Sequence, residues 1–135
     1  MRSSDFPDLS GVWELNLEKS VLKGPSPRRM TVTVEHDEPN ISQHIRSIRT
    51  DGTEQLQSVK FTVGTEEVNS IRGVPLRTLA RWEGKELVVE SWMKMTEREF
   101  HFKDYWSVSD DGRTLTMAHR DDDLAGQVSI LQKQA

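Results

Sequence analysis

The sequence predicts an all-β fold, an antiparallel up-and-down β-barrel of about 8–10 strands in one domain over residues 1–135, with at most one short helix after the first strand. Three observations carry this. Glycines and prolines punctuate the chain at Gly24-Pro25-Ser26-Pro27, Pro39-Asn40, Asp51-Gly52, Gly64, Gly73-Val74-Pro75, Glu83-Gly84, Asp111-Gly112 and Gly126. The segments between them alternate polar and apolar residues, the period of a half-buried strand. The links are of hairpin length, so consecutive strands are antiparallel neighbours, and so many strands in one small sheet remove their edges by closing. A sandwich is the alternative, since the sequence does not fix which strands leave the meander order.

Strands are expected at 10–16, 28–36, 41–49, 54–62, 67–72, 76–82, 85–93, 97–108, 113–120 and 127–133. The short helix would run from Leu17 to Lys23, capped by Asn16 and stopped by Gly24. Around Asp37-Glu38-Pro39-Asn40, the alternation points Met30, Val32, Val34 and His36 inward beside Ile41, Gln43 and Ile45. Gln43 is the polar member of that face. The hairpin through Thr50-Asp51-Gly52-Thr53 allows two registers, with either Leu56, Ser58 and Lys60 or Gln57, Val59 and Phe61 inward.

A two-residue Glu83-Gly84 turn sets Trp82 opposite Lys85, Ala80 opposite Leu87, Thr78 opposite Val89 and Leu76 opposite Ser91. The outer face then pairs Arg81 with Glu86 and Arg77 with Glu90, with Trp92 beside Lys94 either lying over long side chains or marking a contact surface. For Ser109-Asp110-Asp111-Gly112, a four-residue loop pairs Val108 with Arg113, so that Trp106 meets Leu115 and Phe102 meets His119. Phe100, Phe102, Asp104, Trp106, Leu115, Met117 and His119 share one inward face. The acidic triplet Asp121-Asp122-Asp123 reads as a solvated loop.

Composition narrows the function. Hydrophobic residues make 34% of the chain, a lean supply that leaves the interior partly polar. A net charge of −4 argues against a nucleic-acid or anionic-membrane partner. With no cysteine there is no disulfide, no thiolate metal site and no thiol nucleophile. No apolar run reaches transmembrane length, and Met1-Arg2-Ser3-Ser4-Asp5-Phe6-Pro7 lacks the apolar stretch of a signal peptide. The expected location is cytoplasmic for a full-length chain, and the bacterial envelope or secreted if a signal peptide has been removed. Asn40-Ile41-Ser42 fits a glycosylation sequon, which matters only in a secreted chain.

Leu9-Ser10-Gly11-Val12-Trp13-Glu14-Leu15 resembles the Gly-x-Trp opening of the calycins, the lipocalins and fatty-acid-binding proteins. Together with the Trp82-Glu83-Gly84 hairpin and the Trp106-Ser107-Val108-Ser109-Asp110-Asp111-Gly112 turn, it is similar to bacterial lipocalin-like domains over most of the chain. The resemblance implies that Trp13 plugs the closed end of a barrel, with Arg120 and Lys133 as candidates for the basic residue that stacks on it. The strand count is closer to the fatty-acid-binding layout than to the eight-stranded lipocalin. Lys103-Asp104-Tyr105 is similar to a lipocalin loop motif but falls within a predicted strand.

Little in the sequence carries chemistry. His36, His44, His101 and His119 lie on four strands without metal-ligand spacing, so neither a metal nor a cofactor is expected. Asp104 and His119 lie diagonally on the inward face, close enough to satisfy one another as buried groups or to act as a base and its orienter, with no nucleophile in an elbow motif. The expected function is binding of a small apolar or amphipathic ligand, with no catalytic residues. Val32, Val34, Leu87, Val89, Phe102, Trp106 and Met117 would bury its body, and Gln43, Asp104 and His119 would orient it. The alternatives are a packed barrel that meets a partner around Trp92, and a barrel enzyme using Asp104 and His119. The chain is expected to be a monomer or homodimer.

Overall fold

The computed structural model describes residues 6–22, 26–71, 73–121 and 127–134. Ten strands are formed: β1 (Gly11–Leu15), β2 (Arg29–Asp37), β3 (Asn40–Ile48), β4 (Glu54–Thr62), β5 (Glu67–Ile71), β6 (Val74–Glu83), β7 (Glu86–Met95), β8 (Arg98–Val108), β9 (Thr114–Asp121) and β10 (Gln127–Lys133). They make one antiparallel sheet in the order β4-β3-β2-β1-β10-β9-β8-β7-β6-β5. The meander holds throughout, and β1 joins its two halves by pairing β2 on one side and β10 on the other.

The sheet curls until its first and last strands meet. β4 and β5 share no backbone ladder. Instead the side-chain amide of Asn69 takes the place of a strand neighbour: its Oδ1 accepts from the Lys60 N–H and its Nδ2 donates to the Lys60 carbonyl, both at 2.9 Å. Thr62 Oγ1 donates to Glu67 Oε1 at 2.7 Å beside it. These bonds satisfy edge groups that would otherwise template aggregation.

Alternation places the inward side chains as expected on β2 and β3, with Val34 opposite Gln43 and Val32 opposite Ile45. The open choice at β4 falls to Gln57, Val59 and Phe61, which pair with Ile45, Gln43 and Ile41. Leu56 is consequently turned out and 70% exposed. Two hairpins differ from expectation by two residues. The β6–β7 turn is Gly84-Lys85, which sets Trp82 opposite Leu87, Ala80 opposite Val89, Thr78 opposite Ser91 and Leu76 opposite Met93. Gly84 takes the left-handed φ of +64° that such a turn requires. The β8–β9 link pairs Val108 with Leu115 and Trp106 with Met117, and puts Asp104 directly opposite His119 rather than diagonal to it. A slip of two preserves which face each residue occupies.

The expected helix is absent from the described part of its span. Asn16 does cap a turn, with its Oδ1 accepting from the Lys19 N–H at 3.2 Å and its carbonyl accepting from the Ser20 N–H at 3.1 Å. The chain then returns to β structure because Val21 pairs with Val128 in both directions at 2.8 Å. Lys23 and Gly24, like Arg72, Asp122 and Asp123, lie outside the described residues. Among the described residues no helix is long and apolar enough to cross a membrane.

The consecutive links alternate between the barrel's two ends. Those at 37–40, 62–67, 83–86 and 108–114 share one end, which Trp13 plugs. Trp13 is wholly buried, and its Nε1 donates to the Leu9 carbonyl at 3.0 Å. The Lys133 ammonium lies 5.7 Å from its ring centroid, so Lys133 is the stacking cation, while the Arg120 guanidinium covers Tyr105. Gly11 is required here. Its φ is +146°, and a Cβ would come within 2.9 Å of Lys133 Cε.

On the outer face the predicted Arg81–Glu86 and Arg77–Glu90 pairs are replaced, because of the two-residue slip. Arg81 bonds Glu90 at 3.0 Å and Glu83 at 3.1 Å, and Arg77 approaches Glu66 at 3.5 Å. His101 bonds the other oxygen of Glu90. Trp92 is half-buried, stacked on His101 at 5.3 Å with the Arg77 guanidinium 4.8 Å above its ring. Burial alone would raise the Glu90 carboxyl, but bonds from His101 and Arg81 and the charge of Lys103 outweigh it and hold the group below the usual glutamate range. Its folded value is thus below the unfolded one, so its stabilisation is complete above the unfolded value near 4.5 and is lost as pH falls through the folded value. Glu90→Gln is expected to flatten the acid limb of the stability–pH curve, read from urea midpoints at pH 3 to 7. An unchanged acid limb would assign the dependence to other carboxylates.

Candidate functional site

Away from the Trp13 plug, toward the end that carries the links β5–β6, β7–β8 and β9–β10, the barrel encloses a cavity of about 400 Å³. The volume falls within the range of about 300–1,000 Å³ common for small-molecule sites. The lean hydrophobic content is its origin: the inward positions alternate large apolar residues with glutamines and small hydroxyls, and these do not fill a ten-stranded barrel.

Of the sequence-predicted residues, Gln43, Val89, Phe102, Asp104, Trp106, Met117 and His119 line this space. Val32, Val34 and Leu87 do not. They face inward but pack in the core cluster with Leu9 and Trp13, where no space is left. Facing inward is set by alternation, whereas lining a cavity depends on depth along the barrel, which alternation does not encode. The expected ligand contacts left out Ile45, Leu76 and Ser91, which the alternation had placed inward, and also Val59, Phe61, Ile71, Met93 and Gln127, all of which line the wall. Gln57 belongs to the register left open, and its signal was a polar residue in step with Gln43.

The wall has one strongly polar sector. His119 Nδ1 and Asp104 Oδ1 are 2.8 Å apart, and about a quarter of each side chain is exposed, so the pair is set into the wall rather than sealed behind it. The ring of His119 also packs against Phe102, centroids 5.2 Å apart, which fixes its plane. Asp104 Oδ2 makes no hydrogen bond among the described residues. Gln43 on β3 and Ser91 on β7 are buried in the wall, Ser91 on the strand next to that of Asp104. Thr78, opposite Ser91, is 1% exposed, and its hydroxyl has no hydrogen-bond partner. Thr78 lies behind the wall and does not line the cavity. Among the described residues no three His, Asp or Glu side chains are placed to hold a metal ion.

A second, more open groove of about 300 Å³ lies on the outer face against Val68, Pro75, Arg77 and Trp92. Trp92, one of its lining residues, also stacks on His101.

No protein-family model and no curated protein matches the sequence. Solved structures do match the fold. Secretory abundant heat soluble protein 4 from Ramazzottius varieornatus superposes with a TM-score of 0.65 at 15% identity, covering 96% of each chain. The wild-type fluorescent protein UnaG gives 0.67 at 15% identity, over 93% of this chain and 96% of that one. A Schistosoma mansoni fatty acid binding protein in complex with arachidonic acid gives 0.65 at 12% identity, over 94% and 96%. At these identities the likeness shows the fold alone, a nearly closed ten-stranded barrel of the calycin type.

Proposed function

We propose that the chain binds a small apolar or amphipathic molecule inside the barrel. The observation that supports this best is the cavity itself, about 400 Å³ bounded by Val59, Phe61, Val89, Trp106 and Met117 with a localised polar sector at Asp104 and His119. Apolar burial supplies the affinity, at about 25 cal/mol per Å² before ordering costs, and the polar sector orients the ligand. The fatty acid binding protein solved in complex with arachidonic acid has the same fold, which supports binding of a small amphipathic molecule as a use of it.

Native mass spectrometry of gently purified protein, compared with the denatured mass, is expected to show a retained adduct, and titration with an apolar probe should quench Trp106. Ser91 is buried in the wall, so Ser91→Phe projects a ring into the cavity and narrows it, at a cost of about 1–3 kcal/mol where the ring crowds its neighbours. The variant should remain folded and lose probe uptake. Uptake undiminished in folded Ser91→Phe would place the site outside the barrel.

A further inference from the structure

We propose that the cavity selects against carboxylates and takes an amphiphile whose polar end is an uncharged or cationic hydrogen-bond donor, such as a hydroxyl or an ammonium group; this rests on the ligand-binding reading above. Among the described residues that line the cavity, Asp104 and His119 are the only ionisable side chains, and neither arginine nor lysine is present. The polar groups that accompany them are amides and a hydroxyl, from Gln43, Gln57, Gln127 and Ser91.

The chemistry of that wall is one-sided. A carboxylate head entering it would leave water for a site whose described lining residues offer no guanidinium or ammonium, and would approach a carboxylate already there. The imidazole offers limited compensation, because its Nδ1 is committed to Asp104 Oδ1 at 2.8 Å. A hydroxyl or ammonium head meets the opposite situation. Asp104 Oδ2 is available to accept, held in place through the His119 bond to its sister oxygen, and the amides can both donate and accept. Bonds to the charged oxygen are the stronger kind, so the head group and not only the tail contributes to selection.

The test is a head-group series on one tail: 1-decanol, 1-decylamine and decanoic acid, titrated at pH 8 against the intact protein by tryptophan fluorescence and by displacement of an apolar dye. At that pH the acid is ionised and the amine protonated. Decanol and decylamine are expected to bind at least about tenfold more tightly than decanoate, as a like-charge contact in a partly desolvated site requires. Asp104→Asn keeps an oxygen for His119 and removes the charge. It should weaken decylamine by about fivefold or more, weaken decanol by less, since only a charge-assisted bond and no ion pair is lost, and strengthen decanoate. Decanoate binding as tightly as decanol to the wild type would overturn the selection, as would an unchanged order in Asp104→Asn. The wild-type order is read without any variant, so a folding defect in Asp104→Asn does not obscure it. If none of the three binds, or if Ser91→Phe affects none of them, the cavity reading itself falls and the selection falls with it.

Discussion

Trp13→Ala is expected to lower the free energy of unfolding by about 3–5 kcal/mol, the usual cost of deleting a large aromatic from a packed interior. The side chain is wholly buried at the plugged end, opposite Val32 on one neighbouring strand and Lys133 on the other. Its removal costs three things together: apolar burial, the Nε1–H bond to the Leu9 carbonyl, and the ring over which the Lys133 ammonium sits. Against a total of about 5–15 kcal/mol for an ordinary domain, this loss is enough to populate the unfolded state on warming. Trp13→Phe separates the contributions. It retains most of the packing but leaves a buried carbonyl without its donor, at about 1–3 kcal/mol. Urea unfolding followed by circular dichroism gives both values. A midpoint for Trp13→Ala within error of the wild type would show that the plug contributes nothing to closure.

The face of each strand was legible from the sequence, while pairing depth was not. A side chain's face depends only on parity, so the Trp82–Leu87 and Trp106–Met117 hairpins kept their inward sets although both slipped by two residues. The slip changed the contacts that depend on direct opposition. Asp104 and His119 became cross-strand partners, and Glu90 exchanged Arg77 for Arg81 and His101. Glu83-Gly84 carried a clear turn signal, but a glycine at either turn position is compatible with a two-residue hairpin. Composition forecast a partly polar interior without saying where the space would lie. Val34 and Val89 read alike as strand residues, yet one packs beside the plug and the other lines the cavity. The helix failed for a tertiary reason, since the pairing of Val21 with Val128 outcompeted a local cap at Asn16.

Glu38→Ala should be the second severe lesion, at about 2–4 kcal/mol, because it orphans two donors at once. Glu38 Oε1 accepts from His36 Nε2 at 2.8 Å, and the carboxylate also accepts from Trp82 Nε1 at 3.2 Å. The side chains of His36 and Glu38 are only 2% and 12% exposed, so water does not readily replace the lost acceptor. The bond also sets the histidine's tautomer. With its hydrogen on Nε2, Nδ1 is the acceptor for the Leu9 N–H at 3.1 Å, and Ser10 reinforces the join by exchanging bonds with the backbone of His36. Phe6 stacks on Trp82 at 4.8 Å, so the segment from Phe6 to Ser10 is tied to the plugged end through this one carboxylate and its two partners. Losing Glu38 is therefore expected to speed exchange of the Leu9 amide by more than the global loss of stability accounts for, and to shift Trp82 emission to longer wavelength. Glu38→Gln retains one acceptor oxygen and should recover about half of the stability. If Leu9 exchange in Glu38→Ala tracks global unfolding alone, the carboxylate stabilises the sheet without holding that segment, and the plug rests on Trp13 and Leu9 packing instead.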